Sequence, residues 1–126
     1  DIDHMSGMGG YAGKWFGYCN GQVSASPDDC DLSDWTIPDE TSKENMGLLH
    51  HPCTISMAKT SAPNTGGSQF FLIPGDSEPH HLDGVHTVFG EIVSGCEHVT
   101  AISEIQTGSD DKPVNPVMLK KAYVKV

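Results

Sequence analysis

The chain contains no arginine: all seven basic residues are lysines, against seventeen Asp and Glu, for a formal charge of −10. That balance argues against nucleic acid as a partner, because phosphates are gripped by clustered Lys and Arg. Acidity of this size serves solubility, with a saline habitat as one reading, and says little about fold. Long apolar runs are also missing. None approaches the roughly 20 residues needed to cross a bilayer, so no membrane span is expected. There is no signal-peptide pattern, no initiating Met and no internal repeat. No CxxC or HxxxH spacing marks a zinc site, and no boundary to a second domain is visible.

What is present is 126 residues, enough for one domain with one core. The first 21 residues hold six glycines, at 7, 9, 10, 13, 17 and 21. Gly7-Met8-Gly9-Gly10 imitates a dinucleotide fingerprint, but no strand precedes it and no βαβ unit follows. A P-loop fails as well, since Lys14 is followed by Trp15. A flexible loop is the expectation there. Four cysteines, at 19, 30, 53 and 96, allow two disulfides in three connectivities. Cys19–Cys30 would close a short loop. The rivals are free buried thiols, or zinc with His4, His50 or His51 completing the set. Paired cysteines would imply an oxidising, extracytoplasmic compartment; unpaired ones leave a cytoplasmic location open. His50 and His51 are adjacent, so on an extended segment they point opposite ways and are expected as surface residues.

Two strands are expected at Thr54–Ala58 and Ser68–Ile73, joined by the turn formers Ser61, Pro63, Asn64, Gly66 and Gly67. Alternation puts Gln69, Phe71 and Ile73 on one face and Ser68, Phe70 and Leu72 on the other. A face with two apolar groups and one amide suits a shallow pocket for a peptide. Thr87–Ile92 reads as a further strand with Val88 and Phe89 buried, and Val117–Val126 as a last one, with Ala122, Val124 and Val126 alternating against Lys121 and Lys125. Cys96–Gln106 is the one helical pattern. Its stripe is Val99, Ile102 and Ile105, Glu97 sits in the first turn, and Gly108 is the stop. Phe70, Met57 and Phe89 are expected in the core.

Three segments carry a resemblance: Ser56-Met57-Ala58; Pro63-Asn64-Thr65 through Gly67-Ser68-Gln69-Phe70-Phe71; and Leu82-Asp83-Gly84 with His86 and Val88-Phe89-Gly90. In order and separation they resemble the cyclophilins, the cyclosporin-binding peptidyl-prolyl cis-trans isomerases. The likeness runs from about Pro38 to the C-terminus, and residues 1–37 match poorly. It implies an all-β fold, a cyclophilin-like antiparallel barrel with a flanking helix, here truncated at its N-terminal side. The family's catalytic arginine, in a Phe-His-Arg segment, would lie upstream.

Isomerisation of an X-Pro bond crosses a barrier of ~18–20 kcal/mol set by amide resonance. It needs no nucleophile and no cofactor, only a grip on the proline ring and preferential binding of the twisted amide. The resemblance assigns Phe71, Leu82 and His86 to the proline pocket, with Met57 nearby, and Gln69 to the substrate backbone. Ala58 and Lys59 would line the groove, mostly through backbone groups, and His81 would stand on the rim. Lys59 takes the place of a usual Asn, and Lys59–Pro63 is one residue longer than the common form. Asp83-Gly84 reads as turn chemistry. Implied partners are proline-containing peptides and unfolded proteins, with cyclosporin as a candidate ligand, and a monomer is expected. Rival readings are a non-catalytic proline-peptide binding module and a small extracellular domain stapled by disulfides or a metal.

Overall fold

A computed structural model describes residues 8–126; His4 and Asp1–Gly7 lie outside the described residues. Two three-stranded antiparallel sheets and one helix make up most of the regular structure. The first sheet is formed by β1 (Tyr18–Cys19), β2 (Gln22–Val23) and β3 (Trp35–Thr36), with β1 in the middle. Asn20 and Gly21 both take positive φ at the β1–β2 turn, the two-residue hairpin geometry that suits Asn-Gly. Cys19 is bonded to Cys30, which ties the loop after β2 back to β1.

The second sheet carries the site. Its strands are β4 (Thr54–Met57), β5 (Phe70–Leu72) and β6 (Val88–Glu91), with β4 between the other two. Ser56 stands opposite Phe71 on one side and Val88 on the other. Cross-strand partners share a face, so these three form one row. Met57 and Phe70 form a row on the opposite face. A register shift between Ile55 and Ser56 interrupts the β4–β6 ladder. The described residues do not close into a barrel.

Helix α1 (Cys96–Ser103) follows β6. Cys96 is bonded to Cys53 at the start of β4, and the Thr100 hydroxyl accepts the Gly75 N–H, so the helix is fastened to the sheet by its first two turns. It ends at Ser103, short of Gln106, because the Glu104 N–H turns back to the carbonyls of Ala101 and Ile102. Its apolar stripe is not core: Ile102 is exposed, and no helix residue is buried.

Only Ala12, Ile73 and Val88 are buried apolar side chains among the described residues, whereas five polar ones are buried: Thr36, His50, Thr54, Ser56 and Asp83. Several expectations are therefore corrected. Phe70 and Phe89 are half exposed, at 50% and 52%, because they line an open groove with Ile37 and Met57. Val117–Val126 forms no strand; its alternation lacks a neighbouring ladder to pair with. His50 is fully buried, not a surface residue, because its ring has polar partners inside. His51 is exposed.

Candidate active site

β4 inverts the usual pattern of a half-buried strand. Thr54 and Ser56 face inward and Ile55 and Met57 are only partly covered. A buried hydroxyl requires a hydrogen-bond partner, and Ser56 has one in His50, whose Nε2 lies 2.8 Å from its Oγ. The other ring nitrogen, Nδ1, lies 2.7 Å from Oδ1 of Asp83, and the His50 backbone N–H donates to the same oxygen at 2.8 Å. A carboxylate only accepts. Nδ1 therefore carries the proton, and in the neutral ring Nε2 accepts from the serine hydroxyl.

Asp83 is pinned from further directions. His80 Nδ1 meets its Oδ2 at 2.8 Å, and Lys43 Nζ donates to its carbonyl at 2.7 Å. Burial opposes its charge, but the His50 N–H, the His50 and His80 rings and the His80 charge outweigh that cost and lower its pKa from 3.8 to about 2. Gly84 follows at φ +73, and a Cβ there would lie 2.7 Å from the Ser42 carbonyl oxygen. Only glycine permits that approach without strain.

The bond order Ser56–His50–Asp83 is that of a hydrolytic triad. Both Ser56 and His50 are at 0% exposure, so no substrate carbonyl reaches the hydroxyl. His50 lies parallel to Phe71, with centroids 6.0 Å apart and planes 6° apart, and edge-on to His86 at 6.5 Å. Phe71 and His86 themselves meet at 5.5 Å and 85°, within the range for attractive edge-to-face ring pairs. His86 Nδ1 is 3.0 Å from the Met57 carbonyl, and its backbone N–H donates to the Leu82 carbonyl.

The sequence-predicted residues divide into three groups. Phe71 and His86 come together, and Leu82 closes the single 3-10 turn His80–Leu82 that leads to His86. Ala58, Lys59 and Gln69 line a neighbouring cavity of about 260 Å³ with Met8, Gly9, Gly10 and Thr65. The Ala58 N–H donates to the Gln69 carbonyl across the sheet. The Lys59 side chain turns inward, its Nζ 2.7 Å from Asp39 and 3.2 Å from the Val85 carbonyl. His81 is exposed. The Met57 side chain lies elsewhere: it lines a groove with Ile37, Phe70 and Phe89 on the other face, and only its carbonyl reaches His86.

A family model for the cyclophilin-type peptidyl-prolyl cis-trans isomerases matches residues 9–124. This chain belongs to the cyclophilin family. The match reaches upstream of Pro38 into the glycine- and cysteine-containing stretch, where few family residues are recognisable one by one. Peptidyl-prolyl cis-trans isomerase-like 1 of Gibberella zeae is 40% identical over 78 residues, 62% of this chain and 47% of that protein. The like-named protein of Mus musculus is 40% identical over 69 residues, 55% of this chain and 40% of its own length. A peptidyl-prolyl cis-trans isomerase of Arabidopsis thaliana is 38% identical over 88 residues, 68% of this chain and 49% of that protein. The cyclophilin chain thus spans about half the length of the curated relatives it matches.

No sequence pattern marks His50, Ser56 and Asp83 as a group. One signal was available: a serine at an inward position of a strand, between apolar neighbours, demands an internal polar partner.

Proposed function

We propose that this chain supplies the proline-gripping wall of a peptidyl-prolyl cis-trans isomerase that acts on proline-containing peptides and unfolded proteins. The perpendicular Phe71–His86 pair, braced from behind by His50, carries the reading. Two rings at right angles make a corner that fits a pyrrolidine, with Leu82 closing it. Gln69 holds the substrate backbone from the adjoining cavity, which Ala58 and Lys59 line, and His81 stands at the rim. Gripping the ring while the amide twists lowers the barrier by binding the transition state better than either planar isomer. Cyclosporin would compete for the same groove.

In this reading residues 38–126 are the C-terminal part of one domain whose β-barrel is completed by further strands. The catalytic arginine belongs to that remainder. A lysine does not replace its planar fork, so the 126 residues alone isomerise weakly or not at all. The two disulfides suit an oxidising compartment, and a monomer suffices for the site.

A second reading is a proline-peptide binding module that uses the same groove without catalysis. A protease-coupled assay on an X-Pro tetrapeptide, run beside exchange NMR of the same peptide, separates the two. Acceleration by the intact protein and little by the 126-residue chain is the expected result. Binding without acceleration by the intact protein supports the module, and full activity of the short chain contradicts the assignment of catalysis to an arginine outside it.

A further inference from the structure

We propose that His50 is the positioning residue of the prolyl corner, the side chain that fixes Phe71 and His86 relative to one another. The inference rests on the proline-pocket reading. Phe71 comes from β5 and His86 from the loop after the 80–82 turn, and their direct contact is one edge-to-face meeting at 5.5 Å. His50 lies beside both rings, parallel to Phe71 at 6.0 Å between centroids and at 88° to His86 at 6.5 Å. Its own rotation is removed at both nitrogens, by Ser56 on β4 and by Asp83 on the loop that carries His86. No other orientation of the imidazole keeps both bonds. One ring thus ties β4 to the two segments that build the corner, from a position no substrate reaches.

Polar tethering and ring contact separate by substitution. His50→Gln in the intact protein keeps an amide able to donate to Asp83 but removes the ring face. Asp83→Asn keeps an oxygen that accepts from Nδ1–H. With an Ala-Pro tetrapeptide as probe, His50→Gln is expected to lower kcat/KM by about tenfold to a hundredfold, the scale on which small misplacements act. Asp83→Asn is expected to stay within about threefold. A folded His50→Gln protein within twofold of the unsubstituted one would overturn the proposal. Imidazole 15N spectra of the unsubstituted protein decide independently, even if His50→Gln fails to fold. Nδ1 protonated and Nε2 accepting, in slow tautomer exchange, is expected; a ring that averages its tautomers is not a fixed strut and overturns the claim. If the peptide neither binds nor isomerises with any variant, the pocket reading falls. The strut itself is then read from the 15N spectra and from altered Phe71 and His86 ring shifts in His50→Gln; unaltered shifts overturn it.

Discussion

The two faces of the β4–β5–β6 sheet are built on opposite principles. The inner face carries Ser56, Phe71 and Val88, backed by His50 and Asp83, and is held by directional bonds between buried polar groups. The outer face carries Met57, Phe70 and Phe89 beside Ile37, is apolar, and stays largely open. Ordinary burial would reverse the two. The difference teaches that order at the candidate site comes from geometry at a few atoms rather than from apolar area. Damage should therefore be large at single polar positions and small at the exposed aromatics.

The largest effect is expected from Asp83→Ala. It strips the acceptor from the His50 N–H, His50 Nδ1 and His80 Nδ1 together, and each buried donor left unsatisfied costs about 1–3 kcal/mol. Urea melts would measure it, and a loss below about 1 kcal/mol would place the network outside the folding core. The same carboxylate sets an acid limit. Its folded pKa, about 2, lies below its ordinary 3.8, so its contribution is complete above pH 4 and is lost as pH falls toward 2. Asp83→Asn should flatten that acid limb.

Next comes the Cys53–Cys96 bond, which spans 43 residues where Cys19–Cys30 spans 11. Restriction of the unfolded chain contributes about 4 kcal/mol for the longer loop and about 3 kcal/mol for the shorter. Paired Cys→Ser replacements compared in thermal melts should rank in that order, and equal losses would mean that native packing decides instead. The smallest effect belongs to Phe89→Ser on the outer face, expected within about 0.5 kcal/mol as at other exposed positions. A loss of several kcal/mol there would show that something covers the face in solution.

How far the sequence reveals this arrangement depends on whether a pattern is local. β4, β5 and β6 are legible from alternation and turn residues, and each is shorter than expected: Ala58, Ser68, Gln69, Ile73, Thr87 and Ile92 fall outside. β1 to β3 are two residues each, too short for any period to register. Val117–Val126 alternates as a strand does, but a strand exists only against a partner. Phe71 and His86 are legible through the family's segments. His50 is not, because its partners lie 6 and 33 residues away and its neighbour His51 looks the same in sequence while pointing outward to His80.

The central claim is that Phe71 and His86 form one corner for a proline ring. Its most direct test is an NMR titration of the chain with an Ala-Pro peptide, followed at the aromatic protons of Phe71 and His86. Saturable shifts at both rings, absent with an Ala-Ala peptide, are the expected result. Shifts confined to other surfaces, or equal responses to the two peptides, would contradict it.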